Sequence, residues 1–143
     1  MVCILVLLLL CEGSGPKVAY QQDLNRIEPF YQKYPYSQEM SHFEQVFSRE
    51  IDTLPIGDIN SEGYVIDTLE ASLWCFLNKS SYAESVLKAV NLGEDTDTTA
   101  AVTGGLAGIY YEVENMPREW INTIARKDDI FALASRLETA VYR

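Results

Sequence analysis

The sequence predicts an all-α protein, a compact multi-helix bundle. Three observations predict it. Apolar residues recur at helical spacing from end to end, and no alternating run of strand length interrupts them. Late in the chain, an acidic loop opens directly into a helix made almost entirely of small residues. At 143 residues, 48% of them hydrophobic, the chain is long enough to bury one modest core.

The elements follow in order. Residues 2–11 carry no charge and are too few to cross a bilayer as a helix, which needs about 20 residues. They read either as a helix buried on all sides or as a signal peptide without its positive n-region, because no Lys or Arg precedes Lys17. Residues 12–16 form a loop of two glycines and a proline. Tyr20, Leu24, Ile27 and Tyr31 mark the next helix, which Pro29 bends or ends. Met40, Phe43 and Phe47 make a further helical stripe, and residues 49–62 a long loop. Asp67-Thr68-Leu69-Glu70 reads as a capped helix start, with Ile66, Leu69, Leu73, Phe76 and Leu77 on the buried face. Ser81-Tyr82-Ala83-Glu84 is a capping box, and Tyr82, Val86 and Val90 carry that helix towards a stop at Gly93. The small-residue helix runs from about residue 98 to residue 111. Pro117 suits a first helical position ahead of Trp120, Ile121, Ile124 and Ala125, and Ile130, Leu133, Ala134 and Leu137 form the last stripe.

Composition removes several function classes. A net charge of −10 argues against nucleic acid and against an anionic membrane surface, since both need a basic face. Three cysteines, Cys3, Cys11 and Cys75, lack a C-x-x-C spacing and sit among apolar neighbours, so they read as small buried hydrophobes. The one histidine, His42, leaves no His-rich metal site and reads as a helix-surface residue.

The chemistry gathers in Gly93-Glu94-Asp95-Thr96-Asp97-Thr98-Thr99. Asp95 to Thr99 matches D-x-D-x-T, the nucleophile loop of haloacid-dehalogenase-type phosphatases, but that loop needs a preceding strand and residues 85–92 have helical period. A calcium loop fails because Ala100 stands where glycine is required and Leu106 where a bidentate Glu is required. What remains is an acidic loop at a helix start. Two carboxylates about 4 Å apart repel by roughly 4 kcal/mol at an effective dielectric of 20, and a divalent cation between them reverses the sign. Asp95 and Asp97 are therefore candidate ligands, with Thr98 adding a hydroxyl; an all-oxygen set favours Mg²⁺, Mn²⁺ or Ca²⁺. The alternative is that Asp95 or Asp97 only caps the helix. Behind them, Ala101, Gly104, Gly105 and Gly108 are expected to pack closely at the domain centre, which would offset a glycine cost of up to about 1 kcal/mol each.

Three stretches together carry a family resemblance: Gly63-Tyr64-Val65-Ile66-Asp67-Thr68-Leu69-Glu70-Ala71-Ser72-Leu73-Trp74-Cys75-Phe76-Leu77, then Ala89-Val90-Asn91-Leu92-Gly93-Glu94-Asp95-Thr96-Asp97-Thr98-Thr99, then Gly104-Gly105-Leu106-Ala107-Gly108-Ile109-Tyr110-Tyr111. Order, spacing and residue types resemble the C-terminal part of the ADP-ribosylglycohydrolase family, of the dinitrogenase-reductase-activating type, most strongly over residues 63–125. The resemblance implies packed helices around a two-metal centre of Mg²⁺ or Mn²⁺. It implies removal of ADP-ribose from a modified protein, or from an ADP-ribose-containing small molecule, by cleavage of a glycosidic bond. It implies metal ligation by Asp95, Asp97 and Thr98, and a substrate-bordering loop at Gly63 and Tyr64. Family members are longer, and two of their segments have no match here. Gly57-Asp58 runs into Ile59-Asn60-Ser61 rather than a G-D-x-x-G segment, and Asp128-Asp129 runs into Ile130 rather than threonine. The expectation is a single partial domain over residues 1–143, lacking the N-terminal half and keeping half of the ligands, with weak or no turnover alone. A non-catalytic helical module derived from the family is the alternative. The resemblance favours residues 2–11 as a buried helix and a cytoplasmic location; cleavage as a signal peptide would make the protein secreted.

Overall fold

A computed structural model describes residues 11–142. Among these residues there are seven α-helices and no strand: α1 Pro16–Tyr31, α2 Glu44–Phe47, α3 Val65–Leu77, α4 Tyr82–Val90, α5 Thr96–Tyr111, α6 Arg118–Thr123 and α7 Lys127–Val141. The expected reading of residues 2–11 falls, except for Cys11, outside the described residues. No described helix is long and apolar enough to cross a membrane.

Helix α1 begins with Pro16 in its first turn, where the missing N–H costs nothing, and it ends two residues after Pro29. Its buried residues are Ala19, Tyr20, Asp23, Leu24 and Ile27. The Tyr20 hydroxyl donates to the Val46 carbonyl and ties α1 to α2. Tyr31, Phe43 and Phe47 pack as tilted and edge-on rings with centroids 5.4–6.4 Å apart. The stretch expected as a long loop contains two 3-10 turns, Ile51–Thr53 and Ile56–Asp58, and Ile51 is fully buried in the core.

Helices α3, α4 and α5 pack against one another and form the centre of the bundle. Half of the Ser81 capping box forms: Ser81 Oγ accepts from the Glu84 N–H at 3.2 Å. The Glu84 carboxylate turns to Ser80, accepting from its hydroxyl at 3.0 Å and its N–H at 3.4 Å. Burial differs from the expected stripes. Ten of the thirteen residues of α3 are buried, including Thr68, Glu70 and Ser72, so it is enclosed on nearly every side rather than on one face. In α4 the buried residues are Ser85 and Ala89, while Val90 is exposed. Small side chains are the ones fully buried there, with Val86 half-buried.

Four further expectations are corrected. Helix α3 starts at Val65, with Tyr64 at the cap position, so Asp67 does not cap it; Asp67 lies in the first turn and accepts from Asn60 Nδ2 at 3.2 Å. Pro117 stands one place before α6. Cys75 is buried and its thiol is pushed up to about 12 by desolvation, but Cys11 is exposed. The stripe of α7 forms a helix as expected, yet Ile130, Leu133 and Leu137 are exposed, because none of its residues is buried against the rest of the described chain.

Two buried acids set a pH dependence. Asp23 is fully buried and neither carboxylate oxygen has a hydrogen-bond partner among the described residues. Loss of hydration raises its pKa to about 7. Burial, then the negative charge of Asp67, raises Glu70 to about 7 as well. The folded state therefore holds protons that the unfolded chain has released, and stability falls as pH rises from the ordinary carboxylate range through about 7. Thermal melts should show a lower midpoint at about pH 8 than at about pH 5. Asp23→Asn should remove part of that slope and Glu70→Gln much of the remainder.

Candidate functional site

The acidic loop is held by an unusual backbone. Gly93 and Glu94 both have positive φ, 96° and 61°, so the chain leaving α4 turns back sharply before α5 begins. Glycine takes this conformation without steric cost; glutamate does not. The turn delivers Asp95 to the cap position of α5, which starts two residues earlier than the sequence suggested. Asp95 makes no side-chain capping bond. Its Oδ1 instead accepts from the Thr98 hydroxyl at 2.9 Å. The simple capping reading is thus not what its carboxylate does.

The second side of the site comes from the loop before α3. The Asp95 N–H donates to the Ser61 carbonyl at 3.1 Å, and the Ser61 hydroxyl donates to the Gly93 carbonyl at 3.1 Å. These bonds bring Gly63 against Asp95: a Cβ added at Gly63 would lie 3.2 Å from Asp95 Oδ2. That contact is tighter than an ordinary van der Waals approach, so a side chain at position 63 would crowd the carboxylate. Tyr64 follows at the cap position of α3, about half exposed at 52%.

The structure therefore brings together Asp95, Thr98 and Gly63, with Tyr64 next in the chain. Asp97 lies in the first turn of α5, exposed, where the helix dipole favours a negative charge. Among the described residues no three His, Cys, Asp or Glu side chains gather as a metal-binding group. The oxygen donors on offer are two carboxylates and one hydroxyl, all on or beside the first turn of α5.

Helix α5 is anchored by its buried residues Thr99, Thr103, Leu106 and Ala107. Ser72 of α3 donates from its hydroxyl to the Thr99 carbonyl at 3.2 Å inside the core. Gly104 and Gly108 face Tyr82, Val86 and Met116, which bears out close packing on that side. Ala101 and Gly105 are exposed and a Cβ at Gly105 would meet nothing within 4 Å, which corrects the expectation for that side of the helix. Ser61 was missed by sequence reasoning. Asn60-Ser61-Glu62 has ordinary loop composition, and no local signal marks its serine as a link to a turn 32 residues away.

The family model for ADP-ribosylglycohydrolase matches residues 1–143. The chain belongs to the ADP-ribosylglycohydrolase family. It is 42% identical over 80 residues to ADP-ribosylarginine hydrolase Tri1 of Serratia proteamaculans, an alignment covering 56% of this chain and 22% of that protein. It is 46% identical over 79 residues to the protein of the same name from Pseudomonas putida, covering 55% and 21%. Over 67 residues it is 33% identical to the ADP-ribosyl-[dinitrogen reductase] glycohydrolase of Rhodospirillum rubrum, covering 47% and 23%. The matched region thus spans less than a quarter of each of these relatives.

The positive φ at Gly93 gives a direct test. Gly93→Ala has open space for its methyl group but a disfavoured backbone. It should lower stability by about 1 kcal/mol, read as a shifted urea midpoint with an unchanged slope.

Proposed function

We propose that this chain forms one side of the metal and substrate site of a hydrolase that removes ADP-ribose from modified proteins. The observation that carries the reading is the Asp95–Thr98–Gly63 constellation, in a chain whose family is established. The names of its relatives point to arginine or dinitrogenase reductase as the modified acceptor.

The donor chemistry fits a hard divalent cation. Asp95, Asp97 and Thr98 offer oxygen only, the set preferred by Mg²⁺ and Mn²⁺. Asp95 Oδ1 is engaged by the Thr98 hydroxyl, which leaves Oδ2 on the side kept open by Gly63. Asp95, Asp97 and Thr98 would hold the metal. When bound, it would supply Lewis acidity to the ribose hydroxyls and to the attacking water.

The residues of the chain do the rest by position. Thr98 holds the Asp95 carboxylate in one orientation through a 2.9 Å bond. Asp97 adds a second negative charge within the same helical turn and so raises the local attraction for a cation. Gly63 admits a ligand atom where any larger residue would crowd Oδ2. Tyr64 presents an exposed aromatic ring at the edge of the same loop, suited to bordering a sugar or a base. The G-D-x-x-G segment and the further Asp-Asp-Thr set that the resemblance leads one to expect have no match here, so the 143 residues by themselves should turn over substrate weakly or not at all.

Two measurements test this. Titration calorimetry of the purified chain should show Mn²⁺ binding that Asp97→Ala removes. A stable chain that binds neither Mn²⁺ nor ADP-ribose would instead be a non-catalytic module of the family. Incubation with ADP-ribosylated arginine and Mn²⁺ should release little ADP-ribose; rapid release abolished by Asp97→Ala would show that the three donors suffice.

A further inference from the structure

We infer that Ser61 is the positioning residue of this site, the single side chain that sets the distance between the Gly63 loop and the Asp95 carboxylate. The inference rests on the reading of Asp95 as a ligand, but its geometry stands independently. Ser61 is 5% exposed, in a loop whose neighbours Asn60 and Glu62 are exposed or half-exposed. Its hydroxyl and its carbonyl are both used on the same partner turn. Its hydroxyl donates to the Gly93 carbonyl at 3.1 Å, and its carbonyl accepts from the Asp95 N–H at 3.1 Å.

These two bonds bracket Glu94, the residue whose positive φ of 61° is sterically disfavoured. A turn with consecutive positive φ values at Gly93 and Glu94 relaxes readily unless something holds both of its ends. Ser61 holds both. Gly63 follows two residues later, 3.2 Å from Asp95 Oδ2 measured from an ideal Cβ. With the Ser61 hydroxyl gone, the Gly93 carbonyl loses that partner, and the clamp keeps one of its two bonds. Asp95 then keeps its bonds to Thr98 and to the Ser61 carbonyl, but the turn is free to shift at its Gly93 end and the place of Asp95 against Gly63 is held by one bond fewer. A shift of well under 1 Å is enough to disturb a metal ligand.

The experiment compares wild type, Ser61→Ala and Ser61→Thr by Mn²⁺ titration calorimetry and by hydrogen exchange at the Asp95 amide. Ser61→Ala should weaken Mn²⁺ binding by about tenfold or more. It should also speed exchange at Asp95 while leaving the core amide of Leu106 protected. Ser61→Thr, which keeps the hydroxyl, should restore both. Should the alanine variant fail to fold, Ser61→Cys keeps the volume with a weak donor and should fall between wild type and full loss. Unchanged Asp95 exchange in Ser61→Ala overturns the inference, as does unchanged Mn²⁺ affinity in a chain that binds the ion. If wild type binds no Mn²⁺, the metal reading falls, while faster Asp95 exchange in Ser61→Ala still supports the clamp.

Discussion

The close seat of α5 against α3 and α4 is the constraint on which the rest of the structure depends. Phe76 of α3 packs on Tyr110 and Tyr111 at the far end of α5, while small residues are buried on all three helices: Ala71 and Ser72 on α3, Ser85 and Ala89 on α4, Thr99, Thr103 and Ala107 on α5. Small side chains let backbones approach, and approach lets a side-chain hydroxyl reach a backbone carbonyl across the interface, as Ser72 does to Thr99. That bond sits one turn behind the acidic loop. The start of α5 is therefore fixed by the core, and the loop leading to it inherits that rigidity.

A rigid helix start alone does not make a site. Asp95 could have capped α5, as its place in the sequence allowed. Its carboxylate turns instead to Thr98, and its N–H is taken by Ser61. Strain and polarity then support one another. Two bonds from Ser61 span Glu94, whose positive φ is the disfavoured one, and the turn satisfies the hydroxyl and the carbonyl of the buried Ser61. The result is a carboxylate oxygen seated where a Cβ on residue 63 would crowd it.

The exposed surfaces follow from the same geometry. The Ala101 and Gly105 side of α5 continues outward from the acidic turn and is bare among the described residues, as is the apolar face of α7. Helical period records which residues share a face, but it says nothing of what lies opposite. The same limit explains α3, where Thr68, Glu70 and Ser72 are buried although none of them lies on the expected apolar face. Asp23 is the sharpest case. The stripe of α1 does not include it, and only the packed structure shows that it is sealed in.

The sequence by itself determined the helical architecture, the Ser81 cap, the acidic turn with its candidate ligands Asp95, Asp97 and Thr98, and the family. Those features are local: a period, a capping pattern, a cluster within seven residues, and three runs of characteristic order. The tertiary structure alone decided that Asp95 leans on Thr98, that Gly63 stands against its other oxygen, and that Ser61 ties the two loops. Each of the links to Gly63 and Ser61 joins residues more than thirty positions apart through backbone carbonyls and a missing Cβ. Such contacts leave no periodic or compositional trace, because any residue has a carbonyl and a glycine can serve a turn as well as a close approach.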